Sequence, residues 1–209
     1  MKTIIWDYNG TILDDLTISL KIENQMLKER NMKCNYTKEE YQNTFCFPVI
    51  NYYYKLGYTF ENETYEAISV EFNDLYDSYF PECKVNKGFE QLIHRSMTLG
   101  YSNVILSACE HTKLVKQCQQ LGIAKYFDTI MGIDNLLAGS KIQMAVNWLN
   151  NHKVNPEECM YIGDTIHDYE TAEALNIKNC YLVAQGHQSY EVLKTTQAKV
   201  VHTLEEVEI

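Results

Sequence analysis

The sequence predicts an α/β protein with a parallel sheet and an all-helical segment inserted near the start of the chain. Short apolar runs without polar alternation, which are typical of strands covered on both faces, recur between amphipathic segments. Strands that alternate with helices in this way indicate βαβ units. Residues 14–83 differ from the rest because they show helical spacing and no clear strand.

The individual elements follow from two patterns. Continuous apolar runs predict five strands, at residues 4–6, 103–107, 127–131, 159–162 and 179–184. Apolar residues at spacings of three and four predict helices at residues 16–30, 37–47, 63–80, 88–99, 111–121, 142–149 and 168–175. Thr37 and Glu40 form a capping-box pattern at the start of the second helix, and Pro48 limits its extent. An apolar, tyrosine-rich segment covers residues 49–56.

Composition narrows the classes of function. The chain has 209 residues, 45% of them hydrophobic, and a net charge of −10, which argues against binding nucleic acid or an anionic membrane. Its seven cysteines are scattered and include no C-x-x-C pair, which favours free thiols in a reducing compartment. The N-terminus lacks the apolar stretch of a signal peptide, and no apolar run reaches the roughly 18 residues of a membrane span. We therefore expect a cytoplasmic protein.

Three polar side chains stand at the ends of predicted strands. Asp7 follows the first strand, Ser107 ends the second and Asp164 follows the fourth. Right-handed crossovers bring the carboxyl ends of parallel strands to one edge of a sheet, where open α/β sheets bind their ligands. The sequence therefore predicts one site that unites these three residues.

The chain resembles the haloacid dehalogenase superfamily, whose members are most often phosphatases. Asp7, Asn9 and Thr11 resemble its first motif, Asp-x-Asp-x-Thr, although Asn9 stands where the motif has a second aspartate. Residues 105–107 match the second motif, an apolar strand that ends in Ser or Thr, and Lys141 takes the place of the basic residue of the third motif. Residues 163–168 match the fourth motif, G-D-x-x-x-D, and residues 183–187 resemble the tail of phosphoglycolate-phosphatase-like members.

This resemblance implies a Rossmann-like core of about five strands in the order 3-2-1-4-5. The core would comprise residues 1–13 and 84–209. Residues 14–83 would form a helical cap over the active site, because the insertion begins directly after the first motif.

The resemblance also implies roles for the site residues. Asp7 would attack the phosphorus of a small phosphorylated metabolite and form an aspartyl-phosphate, which water then hydrolyses. Mg²⁺ would be bound by Asp7, the backbone carbonyl of Asn9 and Asp164, with Asp168 orienting a bound water or Lys141. The expected substrate contacts are Thr11, Ser107, Ala108 and Lys141.

Asn9 leaves three functions open. An asparagine cannot transfer a proton at neutral pH, and general acid–base catalysis typically contributes about 10²–10⁴-fold to a rate. The chain could be a magnesium-dependent phosphatase that is slowed or uses another base. It could be a phosphonate hydrolase that forms a Schiff base on a cap lysine, for which Lys21, Lys28, Lys38 and Lys55 are available. It could also be a phosphate-binding protein without activity.

Overall fold

The computed structural model describes residues 2–209. Its strands, in chain order, are β1 (Thr3–Trp6), β2 (Leu13–Asp14), β3 (Lys84–Val85), β4 (Ser102–Glu110), β5 (Thr129–Ile133), β6 (Cys159–Gly163), β7 (Asn179–Val183) and β8 (Lys199–Val201). Six of them form a parallel sheet in the order β5-β4-β1-β6-β7-β8, and β2 pairs with β3 in a separate antiparallel ribbon. The predicted order of five strands is confirmed, and β8 extends the sheet by one strand at its edge.

Helices cover both faces of this sheet and fill the segment between β2 and β3. They are α1 (Leu16–Glu29), α2 (Lys38–Thr44), α3 (Val49–Leu56), α4 (Tyr65–Tyr79), α5 (Phe89–Thr98), α6 (His111–Gln120), α7 (Ile142–His152), α8 (Ile166–Ala174) and α9 (Tyr190–Leu193). Short 3₁₀ helices lie at Phe80–Glu82, Ala124–Tyr126, Pro156–Glu158 and Leu204–Glu206. Within the described range, no helix has the length and hydropathy needed to cross a lipid bilayer.

The inserted segment is helical, as the sequence predicts. The capping box at the start of α2 is present, because Glu40 N donates to Thr37 Oγ1 at 3.2 Å and Thr37 N donates to Glu40 Oε2 at 2.8 Å. The helix is shorter than predicted because the backbone of Phe45 turns to an extended ψ of 133°. The tyrosine-rich segment 49–56 is helix α3, which ends at Gly57 in the left-handed conformation.

Two sequence-based boundaries differ from the structure. β5 begins two residues later than predicted, because Asp128 lies in the preceding turn, where its carboxylate accepts a 2.6 Å hydrogen bond from Ser102 Oγ. β2 takes up Asp14, the first residue of the segment 14–83 in which the sequence shows no clear strand, and α1 begins at Leu16 as predicted. The short elements α9 and β8 carry too few residues for a periodic pattern and were not predicted.

The core lies on the two faces of the sheet. Along β1, Ile4 and Trp6 point to one face, and Ile5 points to the other, since successive strand residues alternate. The Trp6 ring packs edge-on against Phe89 of α5 with centroids 5.8 Å apart. Its Nε1 donates to Asn103 Oδ1 at 3.0 Å. These contacts fix β1 at the centre of the sheet, so that the residue after it, Asp7, has a defined position.

Candidate active site

Asp7 lies just beyond β1, where the sheet meets the N-terminus of α7. The ammonium group of Lys141 donates to the Asp7 carboxylate, to Asp168 Oδ1 at 2.6 Å and to the carbonyl oxygen of Leu106 at 3.2 Å. All of these side-chain groups are buried. Lys141 therefore lies between two carboxylates and the end of a neighbouring strand.

Asp164 is held in a narrow cleft between two glycines. Its Oδ1 accepts a 3.0 Å hydrogen bond from Thr11 Oγ1, and its Oδ2 accepts a 2.6 Å bond from His187 N. A Cβ on Gly10 or on Gly186 would lie 2.2 Å from Asp164 Oδ2, and Gly10 also has a φ of +72°. Both positions therefore require glycine for Asp164 to reach the site.

Asp168 is saturated with donors from the protein. Its Oδ1 accepts from Lys141 and from Tyr161 OH, the latter at 3.2 Å. Its Oδ2 accepts from the backbone N–H groups of Asp164 and Thr165 at 3.1 and 3.0 Å, and from Thr165 Oγ1 at 2.7 Å. Asp168 thus fixes both the lysine and the loop that carries Asp164.

The three carboxylates crowd a single point. Asp7, Asp164 and Asp168 each offer an oxygen within 4.8 Å of the others, and all three are buried. Burial and then the charge of Asp168 raise the pKa of Asp7, and burial raises the pKa of Asp164 to about 6. Burial would lower the pKa of Lys141, but the charges of Asp168 and Asp7 raise it above its usual range. One lysine is surrounded by more negative charge than it can balance, which favours a bound cation.

Asn9 directs its side-chain amide towards Asp15. Asn9 Nδ2 donates to Asp15 Oδ2 at 2.8 Å, and Tyr76 OH donates to the same oxygen at 2.6 Å. Asp15 Oδ1 accepts from Gly10 N at 2.8 Å and contacts His187 Nε2 at 3.2 Å. The amide of Asn9 is therefore a hydrogen-bond donor to the buried Asp15 carboxylate.

His187 and Asp15 form a buried ion pair beside the site. Burial would lower the pKa of His187, but the charge of Asp15 and the hydrogen bond to it raise that pKa to about 9. Burial opposes the ionisation of Asp15, yet the charge of His187 holds the pKa of Asp15 below its usual value. The other ring nitrogen of His187, Nδ1, lies 3.0 Å from Tyr41 OH, which joins the pair to α2.

The end of β4 contributes Ser107 and Ala108. The pairing of β4 with β5 shifts register between Leu106 and Glu110, so the strand bulges where these residues stand. Ser107 is buried, and its Oγ accepts a 3.0 Å hydrogen bond from Cys109 N. Both Ser107 and Ala108 line the same cavity as Asp7 and Lys141.

That cavity has a volume of about 160 Å³ and extends from the carboxylates into the helical segment. Of the predicted site residues, its wall includes Asp7, Asn9, Ser107, Ala108, Lys141, Asp164 and Asp168. Thr11 does not belong to the wall, since it is fully buried and its hydroxyl is bonded to Asp164. In this structure Thr11 holds Asp164, and its contact with substrate stays a prediction.

Asp15 and Glu23 were not predicted as site residues, and the sequence offered His187 only as a residue that could face the site but is more often structural. Asp15, His187 and Glu23 are all buried and all line the cavity. A signal for Glu23 was present in α1, where Leu16, Ser19 and Glu23 follow one another at spacings of three and four on the buried side of the helix. A carboxyl group on the buried side of a helix indicates a site.

The fold and this arrangement define a class of protein with a doubly covered parallel sheet and a buried carboxylate–lysine centre at the carboxyl ends of its strands. The chain belongs to the haloacid dehalogenase-like hydrolase family, whose model matches residues 4–182. No curated protein sequence matches the chain significantly.

Solved structures share the whole fold. A haloacid dehalogenase-like hydrolase from Streptococcus pneumoniae is 20% identical, with a TM-score of 0.81 over 99% of this chain and 96% of that one. A predicted phosphatase from Clostridium acetobutylicum is 21% identical, with a TM-score of 0.80 over 98% and 95%. A predicted phosphoglycolate phosphatase from Haemophilus somnus is 12% identical, with a TM-score of 0.77 over 99% and 96%. At these identities the likeness concerns the fold.

Proposed function

We propose that this protein is a magnesium-dependent phosphatase that hydrolyses a small phosphate monoester through an aspartyl-phosphate on Asp7. The observation that carries the proposal is the contact between the buried Asp7 carboxylate and Lys141 on the wall of a small cavity. A lysine beside a carboxylate suits the transfer of an anionic group, because positioning and charge stabilisation supply most of the catalysis of phosphoryl transfer. Two of the structural neighbours are described as predicted phosphatases, which supports the same reaction class.

In the first step, an oxygen of Asp7 attacks phosphorus and forms a new O–P bond. The bond from phosphorus to the ester oxygen breaks, and that oxygen leaves with the electron pair. Lys141 and the hydroxyl of Ser107 would stabilise the charge on the phosphoryl oxygens, and their positions on the cavity wall with Asp7 support this role. In the second step, water attacks the phosphorus of the aspartyl-phosphate and the bond from phosphorus to the Asp7 oxygen breaks, so that Asp7 returns as a carboxylate and inorganic phosphate leaves with the protons of the water.

The donor set fits Mg²⁺. Asp7, Asp164 and the backbone carbonyl of Asn9 would hold the ion, because carboxylate and carbonyl oxygens are its preferred protein ligands. The turn hydrogen bonds from Ile12 N and Leu13 N go to the carbonyl of Tyr8, so they do not engage that of Asn9. When bound, the cation offsets the repulsion between a phosphate group and the attacking carboxylate. Asp168, already saturated with donors, supports the site by holding Lys141.

Asn9 determines which esters react fast. Because its amide supplies no proton to the leaving oxygen, aryl and acyl phosphates, whose leaving groups need none, should react faster than alkyl phosphates. The second step has no carboxylate at position 9 to activate water, so we expect the aspartyl-phosphate to persist longer than in relatives with the complete motif.

We further propose that residues 14–83 act as a cap on a core formed by residues 1–13 and 84–209. Helices α1–α4 supply much of the cavity wall, which supports a role in substrate binding. The candidate lysines for a Schiff base, at positions 21, 28, 38 and 55, are absent from that wall, which argues against the phosphonate hydrolase alternative. A cytoplasmic location and the absence of nucleic-acid partners remain predictions.

Hydrolysis of p-nitrophenyl phosphate tests the proposal. We expect turnover with Mg²⁺, loss of turnover with a chelator, and at least a hundredfold loss in Asp7→Asn, on the order of what a catalytic group contributes. Asp14→Asn makes the same chemical change at an exposed aspartate seven positions away and should leave the rate unchanged. If the wild-type protein binds phosphate but hydrolyses neither p-nitrophenyl phosphate nor alkyl phosphates, it is a phosphate-binding protein.

A further inference from the structure

Glu23 is a buried carboxyl group that the proposed reaction does not use. It lies on α1, and only 2% of its surface is exposed. Its side chain lines the same cavity as Asp7, and its Oε1 has no hydrogen-bond partner. A buried carboxyl without a donor is unfavourable, because the water it loses is not replaced. A ligand that enters the cavity can supply the missing donor.

Glu23 lies about two helical turns along α1 from Asp15, which is next to the reacting centre. Asp15, Ser19 and Glu23 follow one another at spacings of four, and all three line the cavity. At 1.5 Å per residue, Asp15 and Glu23 are separated by about 12 Å along the helix. A substrate whose phosphate reaches Asp7 would therefore present its leaving group, not its phosphate, to Glu23.

Among residues 2–209, no cation of the protein forms a direct ion pair with Glu23, although the charge of Arg30 lowers its pKa in part. The cationic side chains that line the cavity are each paired with another carboxylate: Lys113 with Asp77, Lys141 with Asp7 and Asp168, and His187 with Asp15. Arg30, at the end of α1, is held by Glu63 and Glu71 at 2.6 and 2.5 Å. Burial accordingly raises the pKa of Glu23 to about 8.

Aromatic rings form the wall near this carboxyl. Tyr41, Phe45 and Tyr52 line the cavity and touch one another, with ring centroids 5.2 to 5.7 Å apart. Burial and then the charge of Glu23 raise the pKa of Tyr52, which indicates that this ring is close to the carboxyl. Aromatic faces attract cations, so rings beside a carboxyl favour an organic ammonium group.

A second acceptor on the wall also lacks a donor. Gln117 of α6 is buried, lines the cavity, and has an Oε1 without a hydrogen-bond partner. Both unpartnered atoms, Glu23 Oε1 and Gln117 Oε1, are acceptors when Glu23 is ionised. The cavity is therefore suited to a ligand group that donates hydrogen bonds and carries positive charge.

We propose that the substrate is the phosphate monoester of an amino alcohol, whose protonated amine binds Glu23. This inference rests on the proposed phosphatase function and specifies its substrate class. The ammonium group offers three N–H donors and the charge that Glu23 lacks. The cavity, about 160 Å³ in volume, fits a short carbon chain between the two ends. Hydrolysis would release the amino alcohol and inorganic phosphate.

Matched substrates test this assignment. Initial rates are measured with ω-aminoalkyl phosphates of two to six carbons and with methyl-terminated and hydroxyl-terminated alkyl phosphates of the same length. At the best chain length we expect kcat/KM for the amine to exceed that of either neutral ester by about tenfold to a hundredfold, the range of one charge-assisted hydrogen bond. Glu23→Gln should abolish this preference for the amine.

Glu110→Gln is the matched control, because Glu110 also lines the cavity but its carboxylate already accepts from Thr112 N and Lys113 N at 2.9 and 2.8 Å. The control should keep the preference for the amine. Urea unfolding of each variant verifies that it is folded at the assay temperature.

The outcomes separate the two proposals. Hydrolysis of p-nitrophenyl phosphate with equal kcat/KM for amine and neutral esters would overturn the assignment of Glu23 and leave the phosphatase standing. If no ester is hydrolysed, the phosphatase proposal fails, and binding of butylammonium, measured by ligand-observed NMR, then decides about Glu23. Binding to the wild-type protein but not to Glu23→Gln supports the ammonium site, and equal binding or none contradicts it.

Discussion

Asn9→Asp is expected to destabilise the protein rather than simply restore the aspartate of the family motif. Asn9 Nδ2 donates to Asp15 Oδ2 at 2.8 Å, and Asp15 is itself buried and ionised by its pairing with His187. The substitution replaces the donor with an acceptor and places two carboxylates in contact. The two positions are therefore coupled, and the effect of changing one depends on the other.

The loss of stability in Asn9→Asp is set by whichever costs less free energy: keeping both carboxylates charged, or protonating one of them. Two unit charges about 3 Å apart repel by roughly 6 kcal/mol at an effective dielectric constant of 20. Protonating one aspartate, with an ordinary pKa of about 3.9, costs about 1.4 kcal/mol per pH unit, which is about 4 kcal/mol at pH 7 and about 1.5 kcal/mol at pH 5. Protonation is the cheaper response at both values. The loss of stability in Asn9→Asp should therefore grow between pH 5 and pH 7.

A double-mutant cycle measures this coupling. Urea unfolding of the wild-type protein, Asn9→Asp, Asp15→Asn and the double variant gives the interaction free energy. We expect the double variant, which exchanges the amide and the carboxylate, to be more stable than the sum of the single changes by about 3 kcal/mol at pH 7. An additive cycle, or an Asn9→Asp variant as stable as the wild type at both pH values, would refute the reasoning. Turnover of alkyl phosphates by the double variant should rise at least roughly tenfold.

Two further predictions concern buried charges. Lys141→Met should lower the free energy of unfolding by about 3–5 kcal/mol, because it leaves Asp7 and Asp168 without their counter-ion. MgCl₂ should raise the stability of this variant more than that of the wild type. Equal increases in urea titrations would argue against a shared cation site. Glu23→Gln should gain stability over the wild type as pH rises from 4.5 to 8. The reason is that Glu23 keeps its proton in the folded protein up to a pKa of about 8, whereas the unfolded chain releases it near 4.5. The gain in unfolding free energy of Glu23→Gln relative to the wild type reaches at most about 5 kcal/mol. Curves of stability against pH that run parallel for the two proteins would contradict this prediction.

Strands and their carboxyl-terminal residues could be predicted from local patterns. The apolar runs at residues 4–6 and 159–162 are buried on both faces, and a sequence shows such burial directly as a run of apolar side chains. That Asp7 and Asp164 share one edge of the sheet could also be predicted, because right-handed crossovers bring the carboxyl ends of parallel strands to the same edge. Lys141 depended on the family resemblance, since a lysine at the start of a helix is otherwise an ordinary surface residue.

Asp15 and His187 could not be predicted in the same way. Asp15 is buried because Tyr76 of α4, Asn9 and His187 surround it, and these residues are up to 172 positions apart in sequence. Nothing in the local sequence distinguishes such an aspartate from an exposed residue before a helix. In the sequence, Asn9 stands out only as the replacement of a motif aspartate. In the fold, its amide is the hydrogen-bond donor to the buried Asp15 carboxylate.

The most direct test of the central claim is to trap the phosphoryl group on Asp7. The protein is mixed with p-nitrophenyl phosphate and Mg²⁺, quenched in acid, digested and mapped by mass spectrometry. Because Asn9 supplies no base for the second step, we predict a phosphorylated peptide containing Asp7, preceded by a burst of p-nitrophenol, and neither signal in Asp7→Asn. Steady turnover with no phosphorylated peptide, or with the phosphoryl group on another peptide, would contradict the account.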